Sequence, residues 1–248
     1  MDYPAYGHPF WFLVCITLAA ALYSSVGQGG GSGYLAVMAL FGVTPMHMKP
    51  AALLMNIFVT SVIWYRYHRA GNFRWDLFWP FIITSVPMAF VGGSITLYST
   101  VYRVIVALAL LTAALRLVWR PTHGDDVQEA KWHIASVFGA ILGLISGMTG
   151  VGGGIFLSPL LLFFRWSSLN ETFALSAGFI WVNSVAGILG YLFTGGSWPP
   201  GMAWMVLAVL FGALIGAKIF ADHSTPQTLQ RVLGVILVIA AIRILFDR

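Results

Sequence analysis

Two glycine-rich stretches carry the residues best placed to do chemistry. The first, "SSVGQGGGSGYLAVMALF", holds Gly27, Gln28, Gly29, Gly30, Gly31 and Ser32. The second, "SGMTGVGGGIFLSPLLLFF", holds Gly150, Gly152, Gly153 and Gly154. Both lie inside long apolar blocks, where each glycine weakens a helix by about 1 kcal/mol relative to alanine. A helix broken inside an apolar medium frees backbone N–H groups that protein, water or ligand must satisfy. The residues after the break start a half-helix whose N-terminus carries partial positive charge. Together these features make an anion site built mostly from backbone, which the missing Cβ atoms let a ligand approach closely. The bland alternative is that the glycines only let helices pack closely. Three consecutive glycines after a spacer, written twice, exceed what close packing needs.

Neighbouring side chains extend this picture. Asn56 and Thr60 stand four apart on one helical face, and Asn183 and Ser184 occupy the matching segment of the second half. Their amide and hydroxyl groups suit the oxygens of a sulfonate or carboxylate, or else they tie helices together. Lys49 and Lys218 are the nearest cations; Lys218, inside "GALIGAKIFADH", either serves the site or snorkels to the interface. Asp76, Glu171 and Asp222 fall near block ends, so no buried proton carrier emerges. Two other readings compete. "GGSG" matches the surround of a rhomboid-type intramembrane serine protease with Ser32 as nucleophile, which needs a histidine base within reach. All the histidines fall in loops or at block ends, and the counterpart of Ser32 is Ile155. A passive anion channel would gather rings of polar residues along a pore, whereas polarity here concentrates at two breaks.

The elements that position these residues follow from composition. Of 248 residues, 59% are hydrophobic and 8% charged, against about 25% charged in a soluble domain. Such a chain belongs in a bilayer. Apolar blocks run approximately over 10–42, 50–67, 76–98, 101–119, 132–164, 173–193, 201–221 and 229–246. They predict an all-α, polytopic helical bundle of about eight hydrophobic segments, and their unbroken apolarity excludes a β-barrel. The blocks 10–42 and 132–164 are too long for one straight crossing, so each must bend, break or re-enter at its glycines. Cys15 has no partner for a disulfide, and the N-terminus lacks the basic residues of a secretory signal. The net charge of +5 reads as membrane topology rather than nucleic-acid binding, with Arg66, Arg69 and Arg74 in a cytoplasmic loop. Trp11, Trp75, Trp79, Trp198 and Trp204 read as an interfacial belt. Thr44-Pro45, Ser168 with Glu171, and Ser224 with Gln227 read as helix starts.

The chain also repeats itself. Gly27 and Gly150 open the two motifs 123 residues apart, and that offset pairs Thr60-Ser61 with Asn183-Ser184 and Trp75 with Trp198. The expected organisation is a first transmembrane repeat over 1–119, a polar linker over 120–131 and a second repeat over 132–248. Duplicated halves are common in secondary transporters, with substrate held between them at the midplane. The basic loop near Arg69 has an uncharged counterpart, "TGGSWPP", so the repeats are expected to be inverted.

With both motifs in view, the sequence resembles the TauE/SafE family of bacterial sulfite and organosulfonate exporters. "GVGGGIFLSPLLL", "VNSVAGILGYL", "HRAGNFRWDL" and "GALIGAKI" carry the resemblance, which covers nearly the whole chain. It departs at Ala36, where the second half has Pro159, so a less sharply broken first half-helix is expected. The resemblance implies a multi-pass protein of the bacterial cytoplasmic membrane that exports small sulfur-containing anions without ATP. No catalytic activity, cofactor or metal is expected. The expected partners are a small anionic substrate and the lipid bilayer, with no nucleic acid; a homodimer is admissible.

Overall fold

The structure is a computed structural model and describes residues 9–25, 27–118, 127–199, 201–219 and 227–246. The described residues form ten helices and no strand: α1 (Pro9–Ser25), α2 (Gly31–Leu40), α3 (Pro45–Arg69), α4 (Trp75–Ser94), α5 (Ser99–Val118), α6 (Trp132–Thr149), α7 (Gly154–Phe163), α8 (Leu169–Phe193), α9 (Met202–Ile219) and α10 (Gln227–Phe246). Their lengths run 17, 10, 25, 20 and 20 residues, then 18, 10, 25, 18 and 20. The two long apolar blocks are each divided at the glycines.

Local sequence explains the helix starts. Pro45 opens α3 behind Thr44, where its missing N–H costs nothing. Ser168 and Glu171 form a capping box on α8, with the Ser168 N–H donating to Glu171 Oε2 at 2.8 Å. Ser224 lies outside the described residues. Pro159 sits inside α7, and α2 and α7 are equally long, so the glycines and not the proline set both breaks.

At each break the chain turns back. Tyr23 Oη and Ser32 Oγ are 2.8 Å apart near the turn, and the rings of Phe12 and Phe41 meet at 5.4 Å where the two helices of the hairpin open. Phe138 and Phe164 mark the same antiparallel return in α6–α7, with ring centroids 6.0 Å apart. The α1–α2 and α6–α7 units are therefore hairpins that end on the face where they began. α2 and α7, about 15 Å long, reach only from the middle of the bundle to one face.

α3 and α8 form the central pair and run antiparallel. Arg66, near the end of α3, donates to Ala217 O at the end of α9, and Arg74 donates to Trp166 O, just before α8, at 3.3 Å. At the opposite end Lys49, near the start of α3, lies 5.5 Å over the ring of Tyr191, near the end of α8. Trp181 Nε1 donates to Ser61 Oγ across the pair at 2.8 Å. Around this pair, α1 packs on α9 and α4 on α6, so each hairpin is held by the opposite half. Glycine makes that possible. A Cβ at Gly139, Gly143 or Gly147 of α6 would lie 2.4, 2.3 or 2.1 Å from the carbonyl oxygens of Phe81, Ser85 and Ala89 of α4. Both series advance four residues at a time, so the helix backbones lie along each other as in small-residue membrane packing. Thr84 Oγ1 and Ser136 Oγ cross the same seam to Ser136 O and Pro80 O at 2.7 and 3.0 Å. Outward faces carry exposed Leu18, Ile83, Leu108, Val137, Leu207 and Ile239, as a lipid-facing surface requires.

The register of the halves differs from a constant offset of 123. The breaks keep it, but Thr44 and Ser168 cap α3 and α8 at an offset of 124, because residues 164–168 contain one more residue than 41–44. Thr60 therefore corresponds to Ser184 and Asn56 to Ile180. Trp75 opens α4, whereas Trp198 precedes α9 altogether.

The seam makes a direct prediction. Gly143→Ala forces a Cβ against the Ser85 carbonyl and should cost about 1–3 kcal/mol, the usual penalty of overpacking. Thermal unfolding in detergent checks it against Leu108→Ala on the lipid face, which should change stability far less.

Candidate functional site

The two breaks meet at the middle of the bundle, beside Asn56 near the midpoint of α3. A Cβ on Gly31, the first residue of α2, would lie 2.4 Å from Val151 O in the second break. Asn56 Nδ2 donates to Gly150 O at 3.0 Å, joining the first half's central helix to the second half's break. A Cβ on Gly152 would meet the same Nδ2 at 2.8 Å and Ile180 Cγ2 at 2.6 Å. Gly29 lies against Thr60 and Ile180, and Gly154 also faces Ile180. Thus Gly29, Gly31, Gly150, Gly152, Gly154, Asn56 and Thr60 are brought together, with Val151 and Ile180 among them.

Gly30 and Gly153 serve differently. They are the N-cap residues of α2 and α7 with φ 82° and 74°, a left-handed backbone that glycine adopts freely. A side chain at Gly30 would strike the Tyr34 ring, and one at Gly153 the Phe179 ring. Substitution there tests the turn rather than the space between the breaks. Gly27 packs on Phe173, and the Gln28 N–H donates to Tyr23 O at 2.9 Å.

The electrostatics come from backbone. The first N–H groups of α2 and α7 have no acceptor within their own helices, and neither helix has a side-chain cap bond. Both N-termini, each carrying a positive partial charge, point into the middle of the bundle. Buried side-chain atoms without a partner gather on the same elements: Gln28 Nε2, Asn56 Oδ1, Tyr34 Oη, Ser146 Oγ, Asn183 Oδ1 and Ser184 Oγ. Thr60 Oγ1 is taken by Asn56 O at 2.7 Å, and Asn183 Nδ2 by Phe179 O at 2.9 Å, both within their own helices.

The lysines stand apart from this centre. Lys49 Nζ donates to Gly93 O at 2.7 Å and Ile95 O at 3.0 Å, where its charge faces the C-terminal end of α4. Lys218 is exposed in the last turn of α9, at the Arg66 end. Ser32 pairs with Tyr23, not with a histidine. Ile180 and Tyr34 escape sequence reasoning because apolar and aromatic residues in a buried helix look like ordinary core. Their role shows only in their position against the breaks.

Long apolar helices around a pair of central breaks define a multi-pass α-helical membrane protein. The family model for the sulfite exporter TauE/SafE matches residues 12–244, and the chain belongs to that family. It is 33% identical over 251 residues to a protein of Sinorhizobium fredii named a probable membrane transporter, covering 99% of this chain and 100% of that one. A probable membrane transporter protein of Methanocaldococcus jannaschii is 26% identical over 145 residues, 56% of this chain and 54% of its own. No solved structure matches. The protein is a membrane transporter of this family and not an intramembrane protease.

Asn56 and Asn183 should therefore separate in their effects. Asn56→Ala leaves Gly150 O without its donor in the bundle centre and should cost about 1–3 kcal/mol. Asn183→Ala loses only a bond to its own helix and should cost less, as thermal unfolding of the two variants would show.

Proposed function

We propose that the protein is a secondary transporter that exports small sulfur-containing anions, such as sulfite or an organosulfonate, across the bacterial cytoplasmic membrane. The observation that carries this reading is the pair of uncapped half-helix N-termini whose glycine breaks meet at mid-bundle. Two partial positive ends converging in an apolar interior favour an anion there, and backbone N–H groups supply its hydrogen bonds. The buried Gln28 amide, whose Nε2 has no acceptor, adds a side-chain donor. The family's description, sulfite exporter, supports the substrate class. We read residues 1–119 and 132–248 as oppositely oriented repeats joined by the linker 120–131, with the anion exposed alternately to the two faces. The basic residues Arg66, Arg69, Arg74, Arg165 and Lys218 gather at one end of the bundle, so that end is read as cytoplasmic.

Gln28→Leu tests the site with little change in volume. Sulfite added to the purified protein should raise its melting temperature by mass action. The variant should weaken that binding by roughly ten-fold or more, in keeping with the 1.5–3 kcal/mol typical of a hydrogen bond to a charged group. Its stability without sulfite should not fall, because the amide donor has no acceptor to lose. Normal sulfite binding by Gln28→Leu would remove Gln28 from the site; absence of any sulfite shift in the parent protein would remove the substrate.

A further inference from the structure

Two cavities open at opposite ends of the bundle, and the correspondence between the halves relates them. One, of about 230 Å³, is lined by Ser25, Arg66, Tyr67, Asn72 and Asn170 among others. The other, of about 240 Å³, is lined by Met46, Lys49, Thr96, Tyr102, Met148 and Tyr191 among others. Ser25 corresponds to Met148 at the offset of the breaks, while Tyr67 corresponds to Tyr191 and Asn170 to Met46 at the offset of α3 and α8. Each cavity contains one cationic side chain, and no Asp or Glu lines either among the described residues. The cations do not come from corresponding positions. The counterpart of Arg66 is Gly190, and that of Lys49 is Phe173. Duplication alone would not place one positive charge in each mouth.

Neither cation is neutralised by a carboxylate in the described structure. Arg66 donates to Ala217 O, and Lys49 to Gly93 O and Ile95 O, so the partners of both are neutral carbonyls. A cation in a cleft with low-dielectric walls focuses its field outward and concentrates anions at the opening. We propose that these cavities are the two outer docking sites of the anion route, with Arg66 receiving the anion at one face and Lys49 at the other. This rests on the reading of the central breaks as an anion site, and it assigns the lysine to a mouth rather than to that centre.

Single cysteines at Asn72 and at Thr96, in a Cys15→Ser background, report on each mouth. They are modified with anionic and cationic methanethiosulfonates of similar size. Arg66→Gln should lower the anionic-to-cationic rate ratio at position 72 on the order of ten-fold and leave position 96 unchanged. Lys49→Gln should do the reverse, while Arg66→Lys and Lys49→Arg should keep the parent ratios. Because Lys49 also holds the end of α4, the Arg66 arm decides the matter if Lys49→Gln fails to insert. In oriented proteoliposomes, Arg66→Gln should raise KM for sulfite offered at its own face only. Charge-independent labelling, or a KM that rises equally from both faces, overturns the docking sites. Charge-selective labelling in a protein that neither binds nor moves sulfite upholds the docking sites and overturns the central one.

Discussion

Backbone N–H and C=O groups must find partners where no water reaches them, and the rest of this structure depends on that requirement. Regular helices satisfy it by themselves. Two breaks at mid-bundle do not, and the surrounding residues are arranged to close the accounts they leave open. Asn56 takes Gly150 O, Tyr102 takes Thr149 O at 3.0 Å, and Thr149 Oγ1 takes the Val151 N–H at 3.2 Å. The groups left over are donors at the two half-helix starts together with a few buried amide and hydroxyl atoms. Each such group left unpaired in an apolar interior costs free energy.

The centre so formed is not symmetric, although the helices around it nearly are. Asn56 of α3 reaches across to the second break, whereas its counterpart in α8 is Ile180, whose side chain lies against Gly29, Gly152 and Gly154. One wall offers an amide and the other a branched hydrocarbon. A duplicated protein can in this way give a single ligand two different neighbours. It can also separate one half's task of stitching the breaks from the other's task of excluding water.

Much of this was readable from residue types. The apolar blocks mark the helices closely because their ends carry turn and cap chemistry, as at Thr44-Pro45 and the Ser168–Glu171 box. The glycines mark the breaks because few other residues adopt φ 82° as at Gly30, and none with a Cβ fits 2.4 Å from a carbonyl at Gly31. What glycines cannot tell is which way the chain leaves them. A break that bends onward and one that doubles back have the same composition, and contacts such as Phe12 with Phe41 and Phe138 with Phe164 distinguish them. Register was obscured for a related reason. One extra residue before α8 shifts every later equivalence, and a helix-by-helix match needs the helix ends. Arg66 looked like a topological charge in a loop because its cavity is completed by α1, α8 and α9, which are remote in sequence.

The crossed packing of the hairpins bears on how such a chain can be made. α1 lies along α9, and α6 along α4, with Gly212 and Gly216 of α9 set against the Thr17 and Ala21 carbonyls of α1. The first hairpin, inserted early, therefore spends the rest of translation with an uncovered backbone groove turned to lipid. Its final neighbour arrives only when the ninth helix does. Each hairpin thus finds its packing partner in the other half of the sequence, an exchange of the kind seen between the subunits of a swapped dimer.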